Sequence, residues 1–340
     1  MNILVTGGAG YIGSHTIISL IENGFSVIAL DNFYSGHKEA VDAVEQLTKA
    51  DIMLYNGDFS DINLLENIIK KHNISGVIHF AARSLVGESM KRPVEYYKNN
   101  ISGTIIFLEF LKKNGVNNIV FSSSAAVYGI PVRVPIVEAS PIAPINVYGF
   151  TKTVIENMLE SMRDAYGFNY ISLRYFNAAG AHKSGMIGED HNPETHLIPN
   201  VLKSIASGKK RATVFGNDYP TEDGTAIRDY IHVSDLSYAH VVAVKHLIEN
   251  KRGIGNTYNL GCEKGYSVLS VLRKIEEITG ITLDIKFAER REGDPAVLIA
   301  SYEKIRRELG FELKYNIEDI IGSAWKWHSS RLNGYEGGVC

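Results

Sequence analysis

A chain of 340 residues that is 45% hydrophobic can bury a large core, as one big domain or two modest ones. Its net charge of −3, with both signs interspersed, argues against a nucleic-acid-binding surface. No run approaches the ~18 apolar residues a membrane span needs, and Met1-Asn2-Ile3-Leu4 opens no signal-peptide pattern, so a soluble cytoplasmic protein is expected.

Residues 2–6 form a short apolar run that ends in glycines, followed by helical spacing over 11–23. Residues 26–30 are apolar and close on Asp31. Residues 52–56 read as the next strand and 61–72 as the next helix. Strands follow over 76–82, 117–123 and 170–174, with helices over 93–114 and 148–166. Nearly continuous apolar strands alternating with amphipathic helices predict a doubly wound parallel sheet covered on both faces, an α/β Rossmann-type fold. After about residue 176 the pattern changes. Gly, Asp, Asn and Pro are dense over 180–199 and 216–224, and helical segments follow near 196–207, 234–250, 267–280 and 316–330. A smaller α/β substrate-binding domain is expected over 177–340, beside a dinucleotide-binding domain over 1–176, with segments near 228–260 as candidates to return to the first domain.

Gly7, Gly10 and Gly13 follow the first strand at the spacing G-x-x-G-x-x-G. The first glycine permits a tight turn, the second lets the backbone approach a pyrophosphate, and the third allows close strand–helix packing. The helix N-terminus behind them offers unpaired N–H groups to phosphates. Asp31 ends the second strand, 18 residues after Gly13, where a carboxylate would hold the adenosine ribose and repel a 2′-phosphate, so NAD is favoured over NADP. Asp58 ends the third strand, within reach of an adenine amino group.

Tyr148 and Lys152 lie four residues apart and share a helix face. An ammonium held near a phenol favours the phenolate, which makes a tyrosine usable as a base near neutral pH. Ser122, Ser123 and Ser124 follow the apolar strand at the carboxyl end of the sheet, where ligands bind in such folds. A hydroxyl there can bond a sugar oxygen and relay its proton to Tyr148. Cys262 and Cys340 give neither a disulfide framework nor zinc spacing. They read as a half-buried thiol and a tail thiol, and no metal site is expected.

The glycine fingerprint, Asp31, the Ser-Ser-Ser-x-x-x-Tyr-Gly stretch (122–129) and Tyr148/Lys152 resemble the extended short-chain dehydrogenase/reductases. VGESMKRPVEYYKNN (86–100), FSSSAAVYG (121–129), RYFNAAGAH (174–182), FGNDYPTEDGTAIRDYIHV (215–233) and RREGDPA (290–296) narrow this to the UDP-glucose 4-epimerase family, over at least residues 1–330. The resemblance implies NAD-dependent interconversion of UDP-galactose and UDP-glucose in galactose metabolism. Tyr148 would serve as base and acid at the sugar 4-hydroxyl, with Lys152 tuning it and reaching the nicotinamide ribose. Ser124 would contact the 4-oxygen. Tyr11 and Ile12 would lie on the pyrophosphate, Asp31 and Asn32 on the adenosine ribose, and Asp58 and Phe59 on adenine. Phe80, Ala81, Ala82, Asn99 and Ser122 would line the cofactor, with Phe176 near the nicotinamide. Asn177, His196, Leu197, Phe215, Arg228, Arg291 and Asp294 would hold the UDP-sugar. Arginine suits a diphosphate because its guanidinium donates in a fixed fork. A homodimer through the helices 93–114 and 148–166 is also implied, and Leu298 falls where a bulky residue would exclude an N-acetyl group.

Three positions depart from the family pattern. Ser84 stands where a lysine near the pyrophosphate is common, with Arg83 as a candidate substitute. His196 replaces an asparagine that contacts UDP, and Ala126 replaces a threonine. A nucleotide-sugar 4,6-dehydratase would need an Asp-Glu pair where this chain has Ala125-Ala126. A reductase preferring NADPH is disfavoured by Asp31, and a non-catalytic NAD sensor by the intact Tyr148, Lys152 and Ser124.

Overall fold

The computed structural model describes residues 1–250, 253–291 and 293–337, so Cys340 lies outside it. Strands β1 (Asn2–Thr6), β2 (Ser26–Asp31), β3 (Met53–Asn56), β4 (Ile74–His79), β5 (Asn118–Ser122) and β6 (Asn169–Tyr175) form in the first half. The later strands are β7 (Asn177–Ala179), β8 (Arg211–Phe215), β9 (Ile227–His232), β10 (Gly255–Leu260), β11 (Gly265–Ser267), β12 (Asp284–Ala288) and β13 (Val297–Leu298). The main sheet has seven strands in the order β10-β6-β5-β4-β1-β2-β3, with every neighbouring pair parallel.

Successive side chains of a strand point to opposite faces, and the core divides accordingly. Ile3, Val5, Ile78, Val120 and Ile171 pack on one face against Ile17, Leu20, Val241 and Val244. Leu4, Ile28, Val77, Ile119 and Phe121 pack on the other against Phe107, Leu111, Ile155 and Leu159. Each such side chain contributes about 1.5–3 kcal/mol when fully buried. Strand order reverses at β1, which lies between β2 and β4, and this switch point opens the crevice where ligands of such sheets bind. His79 crosses it: its Nδ1 lies 2.7 Å from Thr6 Oγ1, tying the ends of β1 and β4 together.

Three differences from the sequence reading have clear causes. The fourth strand ends at His79 rather than 82, because the chain must leave the sheet there to pass beside the glycine loop. The helix expected over 93–114 is interrupted by a π-helical segment, Tyr97–Gly103. This register seats buried Asn100 so that its side chain bonds Arg83 N, Arg83 O and Thr151 Oγ1. Strands β7 to β13 are not legible in the sequence: β7, β11 and β13 have only two or three residues, and the longer four lack the continuous apolar runs of the first half.

The chain leaves the main sheet at Phe176, between β6 and β7. It then builds a second sheet in which β9 pairs with β7, β11 and β13, together with a β8–β12 pair. Helices Leu197–Ala206, Val268–Thr279 and Ile317–Ser330 share a core around Leu202, Val214, Leu272 and Ile321. The helix Val233–Glu249 and strand β10 rejoin the main sheet, β10 pairing with β6. No helix of the described residues is long and apolar enough to cross a membrane.

Candidate active site

The carboxyl ends of β1 to β6 carry the candidate residues. The glycine loop after β1 follows its expected logic: Gly7 has φ +73°, and a Cβ at Gly13 would overlap the Gly7 carbonyl. A Cβ on Gly7 would meet the backbone of Phe80 and Ala81, so the ends of β1 and β4 touch there. The helix Tyr11–Glu22 begins at Gly10 with no capping side chain and no acidic residue in its first turn. Its N–H groups and partial positive charge are thus left for an anion.

Asp31 is buried, and its two oxygens accept the N–H groups of Ala9 (3.0 Å) and Phe33 (2.8 Å). Burial pushes its carboxyl up, against those hydrogen bonds. It therefore braces the glycine loop from the end of β2. Asn32 donates to Asp58 at 3.1 Å, linking the ends of β2 and β3.

Several other candidates have side chains engaged within the protein. The Tyr11 hydroxyl donates to Gly180 O at 2.6 Å, so the ring joins the two parts of the molecule and only its main chain borders the loop. Ile12 packs on the sheet core. Phe59 lies in the core, edge-on to His79 at 4.9 Å. The Phe80 ring packs on His240 at 4.6 Å, beside half-buried Ala81 and Ala82. Asn99 donates to Asn100 within the π-helical turn. Exposed Ser84 offers no charge, and the Arg83 guanidinium is already held by Glu95 (3.1 Å) and the Tyr34 hydroxyl (2.8 Å).

The helix Val147–Tyr166 starts on an Asn146 cap and places Tyr148 in its first turn, buried, with its N–H on Ser89 Oγ. Ser124, just beyond β5, stands beside the phenol and favours its ionised form. Ser124 Oγ also accepts the Ala126 N–H, which fixes its rotamer. Lys152 Nζ sits 5.6 Å from the Tyr148 ring centre and donates to Ser122 O at 2.7 Å.

The titration of this pair departs from the sequence reading, which has Lys152 lowering the phenol's pKa. Burial dominates both groups. It raises Tyr148 well above the ordinary value near 10, with Tyr175 adding to the rise and Ser124 opposing it, and it lowers Lys152 to about 7. In an apolar site each group loses hydration in its charged form, and the ammonium is aimed at a carbonyl rather than at the phenol.

The serine run also divides. Ser122 Oγ donates to the Tyr175 hydroxyl at 2.9 Å and stays at the site. Ser123 turns away and donates to Glu156. Glu156 pairs with Arg174, both almost fully buried, and Arg174 continues to Tyr128, which donates to Asn259 at 2.6 Å. This network under the site was not foreseen, because its members are scattered over four elements. Its only sequence signal is charge inside apolar segments.

On the second sheet, Arg228 pairs with Asp294 at 2.5 Å and is largely buried, so it is no solvated surface charge. The Arg291 guanidinium stacks over the Phe215 ring at 4.3 Å. Asn177 donates to Asp229 O at 2.7 Å. Phe176 is buried among Val127, Tyr128 and Ala300, with Leu298 packed against the same cluster. His196 precedes the helix Leu197–Ala206 without a side-chain cap, Leu197 is half-buried, and the His196 Nδ1 lies 2.5 Å from Glu189 Oε1. Cys262 is half-buried, and burial and Asp229 push its thiol up to about 12, so it is unreactive.

Comparison with known proteins agrees with this architecture. The family model described as GDP-mannose 4,6 dehydratase matches residues 4–324. The chain is 51% identical to the UDP-glucose 4-epimerase of Halalkalibacterium halodurans over 98% of each sequence. It is 44% identical to that of Bacillus subtilis over 99% of each. The structure of UDP-glucose 4-epimerase from Bifidobacterium longum in complex with NAD+ and UDP superposes with a TM-score of 0.93 at 41% identity, covering 98% of this chain and 100% of that one. With a nucleotide-sugar family model spanning almost the whole fold and full-length relatives of one kind, the chain belongs to the UDP-glucose 4-epimerase family.

Proposed function

We propose that this chain interconverts UDP-galactose and UDP-glucose by inverting C4 through a transient 4-keto sugar, with tightly held NAD. The observation that carries this reading is buried Tyr148 beside half-buried Ser124 at the carboxyl edge of β5, one helical turn from Lys152. Residues 1–176, with the returning helix Val233–Glu249 and β10, would form the NAD-binding portion, and most of 177–340 the UDP-sugar portion. The uncapped helix at Gly10, the close approach allowed by Gly7 and the carboxylate of Asp31 fit a dinucleotide without a 2′-phosphate.

When bound, NAD supplies a hydride acceptor and donor for C4 and a positive charge near the phenol. Tyr148 would take the 4-hydroxyl proton at its phenolic oxygen and give it back after the keto sugar has turned over. Ser124 orients the 4-oxygen, and Lys152 holds the nicotinamide ribose while anchored on Ser122. The phenol that burial keeps protonated must first release its own proton to solvent, which added positive charge at the site favours, so ligand binding itself would prepare the phenolate that takes the 4-hydroxyl proton. Asn177, His196, Leu197, Phe215, Arg228, Arg291 and Asp294 would grip UDP while the hexose rotates. Ala125 and Ala126 after Ser124 leave no acid–base pair for elimination, which separates this reading from a 4,6-dehydratase.

The test is to incubate purified protein with UDP-galactose and, separately, UDP-N-acetylgalactosamine, with no cofactor added, and to separate the products by chromatography. Appearance of UDP-glucose is expected. A strict need for stoichiometric external NADH, or formation of a 4-keto-6-deoxy product, would overturn it.

A homodimer through the helices near 93–113 and 147–166 is part of the proposal. Val94, Tyr97, Ile105, Ile106 and Phe150 are exposed there, and Tyr97 packs edge-on to Phe150. Sedimentation equilibrium showing only monomer would exclude it.

A further inference from the structure

The loop before the helix Leu197–Ala206 gathers two histidines and two carboxylates that the reading above leaves largely unused. Glu189, His191, Glu194 and His196 each place one donor atom so that all four atoms lie within 4.8 Å of one another. His191 Nδ1 is 3.2 Å from Glu189 Oε1 and 4.0 Å from Glu194 Oε2. His196 Nδ1 is 2.5 Å from Glu189 Oε1 and 3.6 Å from Glu194 Oε1. Zinc bound at about 2.0–2.2 Å by four N and O donors would hold them roughly 3.3–3.6 Å apart, so sub-ångström to ångström shifts complete a tetrahedron. From this convergence we propose that Glu189, His191, Glu194 and His196 form a structural site for a divalent transition-metal ion, with zinc as its best-fitting occupant.

A second observation separates this from an ordinary ion-pair cluster. The Glu194 side chain is 7% exposed, yet its Oε2 has no hydrogen-bond partner, and neither does His191 Nδ1. Glu194 Oε1 is satisfied by the N–H groups of Thr195 and His196, and the orphaned Oε2 lies on the His191 side of the cluster, 4.0 Å from its Nδ1. The Lys203 ammonium stands 3.8 Å from it, beyond hydrogen-bond reach, and donates instead to Asp190 at 3.3 Å. The His196–Glu189 pair satisfies half of the cluster and leaves the other half bare. Leaving a buried carboxylate oxygen without a donor is costly, whereas a dication would satisfy all four groups and relieve the repulsion between Glu189 and Glu194.

Two imidazoles with two carboxylates suit zinc better than calcium or magnesium, which prefer all-oxygen sets. The E-x-H-x-x-E-x-H spacing carries no cysteine, so the sequence reading, which looked for cysteine spacing, expected no metal. The ion would pin the loop 189–196 against Tyr11, whose ring lies edge-on to His191 at 6.3 Å, and so hold the second part of the molecule to the glycine loop. Coordination through His196 Nδ1 leaves its Nε2–H as a donor. The site stands or falls independently of the proposed reaction.

The test uses untagged full-length protein, stripped with a chelator, re-equilibrated with Zn2+ by dialysis and analysed for bound metal. About one zinc per chain is expected, with affinity reduced at least about tenfold in His191→Ala and in Glu194→Gln. Zinc should raise the melting temperature of the native chain and not of the variants. Loading the native chain with Co2+ reads the site without any substitution: the intense visible bands of tetrahedral cobalt are expected. Absence of stoichiometric zinc, equal binding by folded variants, or an octahedral, weakly absorbing cobalt spectrum would overturn the proposal.

Discussion

Lys152 lies one helical turn beyond Tyr148, yet its ammonium donates to the Ser122 carbonyl at 2.7 Å, with its Nζ 5.6 Å from the Tyr148 ring centre. The helix is thereby latched to the end of β5. Burial around the latch sets the ionisation of both side chains.

The first consequence is a pH dependence of stability in the cofactor-free chain. Lys152 has a folded pKa of about 7 against an ordinary 10.5. Below pH 7 both folded and unfolded chains carry the charge, and the folded one bears its desolvation penalty. Between pH 7 and 10.5 the folded chain has shed a proton that the unfolded chain keeps, so this group's contribution to stability rises with pH. The melting temperature of native protein minus that of Lys152→Met should therefore increase across that window. A flat or falling difference would contradict the assignment.

Replacing Tyr148 with Phe removes the proton acceptor while preserving the buried ring. Turnover of UDP-galactose should fall about a hundred- to ten-thousand-fold, with retained NAD content and an unchanged fold. Turnover within a few-fold of native would remove Tyr148 from the chemistry.

The Arg174–Glu156 pair lies under the site, each side chain only 8% exposed. Glu156→Ala leaves the guanidinium buried without its carboxylate and releases Ser123, so a loss of about 3–5 kcal/mol is expected in urea unfolding. A loss below about 1 kcal/mol would show that water reaches the pair.

At Gly13 the strand and helix backbones are too close for a methyl group. Gly13→Ala should lower stability by about 1–3 kcal/mol and reduce the NAD recovered with the purified protein, because the loop must move away from the helix N-terminus. Absorbance and thermal melting report the two effects separately.

Leu298 pairs in register with Arg228 and packs against the Phe176 cluster, beside two of the residues proposed above to line the ligands. Leu298→Ala should raise kcat/KM for UDP-N-acetylgalactosamine relative to UDP-galactose by about tenfold, the value of one or two methylenes of pocket space. An unchanged ratio would place the gate elsewhere.

The residues that specify local geometry were readable from the chain alone. Gly7 and Gly13 announce a turn and a close contact because no other residue fits. Asp31 and Ser122–Ser124 mark strand ends because polar residues stop apolar runs. Tyr148 and Lys152 share a face because the helical period puts them there. The doubly wound sheet follows from alternating apolar runs and amphipathic segments.

Tertiary structure decided everything that depends on which distant segments meet. It sent Ser123 to Glu156, set the Phe59 ring on His79 and the Tyr11 hydroxyl on Gly180 O, aimed Lys152 at a carbonyl, and brought β10 back beside β6. Spacing along a chain reports neighbours within a turn or a strand. Burial, and the pairing of charges from separate elements, arise only when those elements pack, and they set the ionisation of Tyr148 and Lys152 and the convergence of Glu189, His191, Glu194 and His196.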